Sequence, residues 1–424
     1  MPAGTMTSTV ERFLITGGSP LRGTVSAGGA KNSALKIMAA TLLAPGTFRI
    51  DSVPRIADVA TMRRVLGRLG ARADFDGGRV TITVPQLLAT EAPYDLVRQM
   101  RASIIVLGPL LARSGRARVA MPGGCNIGSR KIDLHLRGLE RMGAEISFDH
   151  GYLDARCDAL HAAQISLDFP SVGATENLLM AACLAKGTTL IENAAREPEI
   201  QDLARFLRAM GAEISGEGTP AIEVEGVAEL HASDHRVIGD RIEAGTFLIA
   251  GAATRGDVTV TDVDPEHLDL VLAKLTDAGA TVEAGVSRVR VALDHRPAPV
   301  DFVTLPYPGF PTDLQPQMMV LLATAEGTSI ATENVFESRF MFVDELMRMG
   351  ADIRTEGHHA VIRGRPTLQA AQVHAPDIRA GAALVIAGLA AAGDSEVSGV
   401  GYIDRGYEGF EWKLAGLGGA VSRR

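Results

Sequence analysis

Leu69-Gly70-Ala71-Arg72-Ala73-Asp74-Phe75-Asp76-Gly77-Gly78-Arg79-Val80-Thr81-Ile82-Thr83 is the stretch that decides the fold. Gly70 is placed to close a helix over Val59 to Leu69, because the residue just past a last helical turn adopts the left-handed conformation most easily without a Cβ. Two short runs follow, 71–75 and 79–83, each alternating polar and apolar residues as a half-buried strand does. Asp76-Gly77-Gly78 between them is a hairpin signal. Upstream, Thr47-Phe48-Arg49-Ile50 predicts another short strand, and an Ala/Leu-rich helical segment ends before it at Gly46. Helix, strand, helix and hairpin make one unit.

The unit recurs. A Leu/Met-Gly-Ala type turn stands at Gly70, Gly143, Gly211, Gly279, Gly350 and Gly418, at nearly constant intervals. A second glycine precedes each by a little over a third of that interval, at Gly46, Gly115, Gly187, Gly256, Gly327 and Gly393. Two markers kept in step along the chain are not chance, even with 46 glycines. Six copies of about 70 residues are too few and too large for a thin solenoid. They predict an α/β architecture of two lobes, three repeats each, with a cleft between. The crossings are expected near Ser26 to Ala30 and near 234–238, giving one lobe over 29–236 and another from 1–28 plus 237–424.

A length of 424 residues accommodates two domains. The net charge of −8 excludes wholesale nucleic-acid binding through a basic surface, but permits anion sites where arginines converge. Cys125, Cys157 and Cys183 form neither a disulfide framework nor a zinc pattern and suit a reducing cytosol. The first residues lack the basic and apolar regions of a secretory signal. The most apolar run, 380–392, is too short and too rich in Ala and Gly to span a bilayer.

Four segments carry chemistry. Gly28-Gly29-Ala30-Lys31-Asn32 offers glycines for close backbone approach to a ligand, a lysine suited to phosphate and an amide suited to a sugar hydroxyl. Its spacing is not that of a Walker loop, and alone it reads as a solvated lysine beside a turn. In Pro122-Gly123-Gly124-Cys125-Asn126-Ile127-Gly128-Ser129-Arg130, a thiol near an arginine can serve as nucleophile or proton donor, or be a small buried hydrophobe. Cys157 and Cys183 lie in strand and helix patterns and read as packing. Phe169 to Asn177 reads as a loop entering a helix, either a plain N-cap or free backbone N–H groups for a diphosphate. In Phe310-Pro311-Thr312-Asp313-Leu314-Gln315, Asp313 reads first as an N-cap and second as a carboxylate accepting a hydroxyl proton. Arg101, Arg339, Arg379 and Arg405 stand near turns, either as halves of surface ion pairs or as a shared anion site.

Together these segments resemble the UDP-N-acetylglucosamine enolpyruvyl transferases (1-carboxyvinyltransferases), within the EPSP synthase-like superfamily, from about Phe13 to Val421. The matches include Gly-Ala-Lys-Asn at 29–32, Met-Arg-Ala-Ser at 100–103, Pro-Gly-Gly-Cys-x-Ile-Gly at 122–128 and Pro-Ser-Val-Gly-Ala-Thr at 170–175. They continue with Glu-Asn-Ala-Ala-Arg-Glu-Pro-Glu at 192–199, Asp-Arg-Ile-Glu at 240–243, Phe-Pro-Thr-Asp at 310–313 and Ile-Asp-Arg-Gly-Tyr-Glu at 403–408. The resemblance implies two lobes, each an inside-out α/β barrel of three βαβαββ-type repeats, with the active site in the cleft. It implies transfer of the enolpyruvyl group of phosphoenolpyruvate to the 3-hydroxyl of UDP-N-acetylglucosamine, the first committed step toward peptidoglycan. A cytoplasmic enzyme is expected, targeted by fosfomycin, with no cofactor, no metal, no nucleic acid, no membrane and no obligate protein partner.

Carried over residue by residue, the resemblance makes Cys125 the proton donor to C3 and Asp313 the base at the 3-hydroxyl. Lys31, Arg130 and Arg405 become cations around phosphoenolpyruvate, and Asn32 a sugar contact. Arg101, Arg130, Lys131, Ile132, Asp133, Leu134, Ser171, Val172, Gly173 and Val335 become nucleotide-sugar contacts, and Arg339 and Arg379 join the substrate-binding set. The chain departs from the pattern at Phe169, where some members carry Lys. It departs again at Tyr307 and Tyr402, where some carry His, and at Lys36, where Pro is common. A paralogue with another acceptor, or a catalytically silent UDP-sugar-binding regulator, remains the alternative. If Cys125 is a proton donor, Cys125→Ser lowers turnover severely and Cys125→Asp retains it, since a carboxyl group donates a proton where an alcohol does so poorly. Steady-state rates of the two variants check this, and equal rates contradict it.

Overall fold

A computed structural model describes residues 11–97, 100–121 and 132–424, so Cys125, Arg130 and Lys131 lie outside the described residues. In the first repeat, strand Gly46–Asp51 pairs antiparallel with Arg79–Val84, which pairs antiparallel with Arg72–Asp76. Val80 and Ile82 are buried while Arg79 and Thr83 are exposed, as the alternation requires. Gly77 and Gly78 both have positive φ, the backbone of a tight two-residue hairpin turn. Helix Ala57–Arg68 precedes the hairpin, and Gly70 follows it at φ 97°. All six glycines of that marker set lie between 84° and 105°, so the repeat seen in the sequence is a repeat of one helix ending.

The described residues form six four-stranded sheets and one two-stranded sheet. Each large sheet joins a parallel edge strand to three antiparallel ones. In two sheets the edge strand comes from outside the repeat: His235–Arg236 pairs with Gly46–Asp51, and Arg22–Ser26 pairs with Asp257–Thr261. In the last sheet Arg12–Thr16 lies between Asp394–Ser398 and Ala420–Arg423.

The helices are of two kinds. Ala57–Arg68 and Pro198–Ala209 have one buried face and one wet face. Lys31–Ala40, Val172–Ala182, Arg241–Ala253, Gln315–Leu322 and Ile378–Ala390 are buried on nearly every side. A helix without a wet face belongs to a core. Helices therefore fill the interior and sheets form the outer wall, which is the inside-out α/β barrel with three repeats in each unit. Because the helices pack closely there, they are built from Ala, Gly, Leu and Ile, which explains why aromatics make up only 4% of the chain. Among the described residues no helix is long and apolar enough to cross a membrane.

Two compact units result. One holds Ala27–Arg241 with Pro306–Gly309; the other holds the chain up to Ser26, Ile242–Leu305 and Phe310–Arg424. The division falls at 26/27 and 241/242. The physical reason is local pairing: Gly29 bridges Gly239, Asp240 N–H donates to the Gly28 carbonyl at 2.8 Å, and Ala30 N–H donates to the Ile238 carbonyl at 2.7 Å. These bonds bind both crossing segments into the first unit.

Gly29 lets two backbone segments pack closely here. A Cβ on this residue would stand 1.6 Å from the Ser52 carbonyl oxygen. Gly29→Ala is therefore expected to lower stability by more than about 4 kcal/mol, since backbone must move to admit the methyl group. Denaturant titration measures this, and an unchanged midpoint would contradict the packing described.

Candidate active site

In the first unit, Lys31 opens the helix Lys31–Ala40. Its N–H donates to Asp240 Oδ2 at 3.0 Å, and its ammonium lies 2.7 Å from Asp58 Oδ2. The residue is 7% exposed, so the solvated lysine suggested by the turn alone is replaced by a buried ion pair. Asp58, on helix Ala57–Arg68, was not singled out by motif reading; an acidic residue in a first turn looks like ordinary dipole compensation. Two residues after Lys31, Ser33 Oγ donates to Asp202 Oδ2. Asp202 also takes His235 Nε2 at 3.0 Å and Ile238 N–H at 3.3 Å. Burial raises the Asp202 carboxyl, but these bonds, His235 foremost, outweigh it and hold the group below the usual carboxylate range.

Two other helix starts meet in this unit. Ser171 caps Val172–Ala182, its Oγ accepting from Ala174 N–H at 3.3 Å. Ile132 precedes helix Asp133–Arg141. Asn177 Nδ2 lies 3.0 Å from His135 Nδ1, and Asn177 Oδ1 accepts from Gly108 N–H at 2.7 Å. A Cβ on Gly173 would stand 3.3 Å from His135 Cε1. The first turns of both helices are therefore in contact, which brings Ile132, Asp133 and Leu134 together with Ser171, Val172 and Gly173. The Asp133 carboxylate pairs with Arg137 at 2.6 Å, an exposed pair of small energetic weight, and that bond lowers its pKa. Arg101 begins the short helical turn Arg101–Val106, and Asn32 is half-buried beside Lys31.

Buried charge underlies these residues. Lys36 Nζ lies 3.3 Å from Glu176 Oε2, tying the Lys31 helix to the Ser171 helix and giving the departure at position 36 a partner. Burial pushes the Glu176 carboxyl up to about 7, against the opposing pull of Lys36. Arg241 Nε bonds Glu199 Oε1 at 3.1 Å, and its guanidinium stands 5.4 Å from the centre of the Tyr307 ring. Tyr307 N–H donates to Glu197 Oε1 at 3.4 Å; burial raises the Glu197 carboxyl.

In the second unit, Asp313 is not an N-cap. Thr312–Leu314 forms a single tight turn ahead of helix Gln315–Leu322, which has no side-chain cap. Asp313 Oδ1 instead accepts from Arg339 Nη2 at 2.9 Å, and Oδ2 accepts from Arg379 Nε at 3.1 Å and Nη2 at 2.9 Å. Arg339 and Arg379 are 2% and 4% exposed, so neither is a surface ion pair. Arg339 Nη2 also donates to the Thr312 carbonyl at 3.1 Å. A Cβ on Gly406 would lie 3.6 Å from Arg379 Nη1, which sets the turn bearing Arg405 against Arg379.

Sequence reading missed Glu333. This buried residue accepts from Val335 N–H at 2.8 Å and Phe336 N–H at 3.0 Å through Oε1, and from Thr312 Oγ1 at 2.9 Å through Oε2. It fixes the turn carrying Val335 to the turn carrying Asp313. Its only signal in the sequence was an acidic residue at the end of a strand.

Neither described thiol is poised to ionise. Burial pushes Cys183 up to about 12, and its Sγ lies 3.2 Å from the Leu179 carbonyl oxygen. Burial, then the charge of Asp158, raises Cys157. Both behave as the packing residues expected.

The family model of EPSP synthase (3-phosphoshikimate 1-carboxyvinyltransferase) matches residues 15–414. The chain belongs to the EPSP synthase family. Among members of this family, it is 55% identical over 413 residues to the UDP-N-acetylglucosamine 1-carboxyvinyltransferase of Mycobacterium tuberculosis, covering 97% of this chain and 99% of the relative. It is 56% identical over 419 residues to the enzyme of that name from Nocardia farcinica, covering 97% and 98%. Family likeness extends to solved structures. The enolpyruvyl transferase NikO from Streptomyces tendae superposes with a TM-score of 0.87 at 27% identity, over 98% of this chain and 99% of the other. EPSP synthase from Acinetobacter baumannii gives 0.76 at 19% identity, over 98% and 100%, a likeness of fold alone.

The Lys36–Glu176 pair has a measurable consequence. The Glu176 carboxyl ordinarily titrates at 4.5 and in the fold at about 7. Between those values the folded protein holds the proton more tightly than the unfolded chain. The stability it contributes is fully present below 4.5 and is lost as pH rises through about 7. The double variant Lys36→Met/Glu176→Met should fold, because a buried ion pair can be exchanged for apolar side chains, and should lose this decline. Denaturant midpoints of both proteins at about pH 5 and about pH 7.5 test it. Parallel pH dependence in the two would contradict it.

Proposed function

We propose that this chain transfers the enolpyruvyl group of phosphoenolpyruvate to the 3-hydroxyl of UDP-N-acetylglucosamine, releasing phosphate, as the first committed step of peptidoglycan synthesis. One observation carries most weight: Asp313 lies between buried Arg339 and Arg379, with the Arg405 turn beside them. A carboxylate able to take a hydroxyl proton next to guanidinium groups able to hold a carboxylate or phosphate is what joining an alcohol to an anionic enol ester needs. The 55% identity to enzymes named for this reaction supports the choice of acceptor.

In this reading the acceptor oxygen bonds to C2 of phosphoenolpyruvate and its proton passes to Asp313. The C2–C3 π electrons take a proton from Cys125 at C3, giving a tetrahedral ketal. C3 then gives a proton back to the Cys125 thiolate, the bond from C2 to the phosphate oxygen breaks, and the double bond returns as phosphate leaves. Lys31, Arg130 and Arg405 hold the anionic groups and offset charge as addition proceeds. Asn32, Arg101, Arg130, Lys131, Ile132, Asp133, Leu134, Ser171, Val172, Gly173 and Val335 hold the nucleotide sugar and orient its hydroxyl. The reading assigns no cofactor. It places the reaction in the cytoplasm, since both substrates are multiply charged phosphates that do not cross bilayers unaided.

The family model's description, 3-phosphoshikimate 1-carboxyvinyltransferase, keeps a second reading in view, an enolpyruvyl transferase with a different acceptor. Incubating the protein with phosphoenolpyruvate and either UDP-N-acetylglucosamine or shikimate 3-phosphate, and measuring released phosphate, separates them. Release is expected with the nucleotide sugar alone. Nucleotide-sugar binding without release would instead indicate a silent regulator.

A further inference from the structure

We infer that Arg379 occupies the proton-accepting oxygen of Asp313 in the resting protein, and that an anionic group of phosphoenolpyruvate draws Arg379 away, so that donor binding readies the base. The inference rests on the reading of Asp313 as the base and adds how that base is controlled.

The two arginines on Asp313 are held differently. Arg339 Nη2 bonds Asp313 Oδ1 and also the carbonyl of Thr312, the residue before it. It is tied to the same turn as the carboxylate and fixes its direction, so it is a positioning residue. Arg379 belongs to another element, helix Ile378–Ala390, and places both Nε and Nη2 on Oδ2. A forked, charge-assisted pair of this kind commits that oxygen. A sugar hydroxyl is a weak acid and needs a carboxylate oxygen with an available lone pair, so Oδ2 serves as acceptor only when the fork has left it.

The same guanidinium is turned toward the Arg405 turn. A Cβ on Gly406 would lie 3.6 Å from Arg379 Nη1, and the guanidinium stands 5.4 Å from the centre of the Tyr407 ring. Tyr407 is itself fixed, its hydroxyl 3.1 Å from Thr246 Oγ1 and 3.2 Å from Gln317 Nε2. The ring face supports a guanidinium that swings toward an incoming anion. A carboxylate or phosphate arriving at the Arg405 turn offers Arg379 two oxygens, where Asp313 offers it one. Other charges near the pair are Glu333, which holds Thr312, and Asp377, whose Oδ1 accepts from Arg379 N–H at 2.8 Å. Asp377 secures the backbone of Arg379, leaving the exchange to its side chain.

Because the anion and Asp313 compete for one guanidinium, deleting the carboxylate must tighten donor binding through Arg379. Four full-length proteins test this, each carrying Cys125→Ala so that turnover does not consume the ligand: the parent, Asp313→Asn, Arg379→Gln and the double variant. Phosphoenolpyruvate is titrated calorimetrically into each with UDP-N-acetylglucosamine present, and folding is checked by thermal melting. Asp313→Asn is expected to bind phosphoenolpyruvate at least about fivefold more tightly than the parent, the low end of ordinary coupling between sites. In the Arg379→Gln background the same substitution should change affinity less than about twofold. If the amide disturbs the turn, Asp313→Ala carries the same expectation. No tightening, or equal tightening in both backgrounds, overturns the inference, because the carboxylate would then not compete or would act only as a diffuse charge. Failure of the parent to bind phosphoenolpyruvate would instead count against the proposed function.

Discussion

Helices that have no wet face impose the main constraint on this protein. Along such a helix a charge must be paired or absent, so charged and capping side chains gather at the starts. Lys31 opens one buried helix, Ser171 caps a second, and Arg241 opens a third. Asp313 sits in the turn before a fourth and Arg379 in the first turn of a fifth. The Arg101–Val106 turn leads into Leu107–Ser114, whose first five residues are buried. A cation at a helix start opposes the helix dipole, and each described one is met by acid: Lys31 by Asp58, Arg241 by Glu199, Arg379 by Asp313. The exception within a helix body, Lys36, is paired with Glu176.

This arrangement explains what was legible in the sequence. The repeat was readable because every copy ends a helix with a left-handed glycine and turns a hairpin, both of which are local events with fixed residue demands. Lys31, Asp313 and Arg379 stood out because they fall in turns between patterned segments. Their partners did not. Asp58 belongs to a later helix than Lys31, and Arg379 to a helix well downstream of Asp313, separations that only packing closes. Local reading made Asp313 an N-cap because Pro-Thr-Asp ahead of a helix satisfies every local requirement for one. Two buried guanidinium groups outbid a single backbone N–H for the same carboxylate.

Gly29 and Lys36 show the same limit in another form. Two adjacent glycines gave no hint that Gly29 also makes room for the Ser52 carbonyl. Lys36 looked like an incidental departure, yet Glu176, remote in the chain, makes it part of a pair joining two helices that carry proposed substrate contacts. A lysine in a buried helix is best read by asking which buried acid faces it.

The resting pairs also bear on how a protein of net charge −8 selects anions. Lys31 and Arg379 already have carboxylate partners, so an incoming anion gains only the difference between its own contact and the one it displaces. Stray monovalent anions gain little from that exchange. Pairing Lys31 and Arg379 in advance spares each buried position from holding a bare cation.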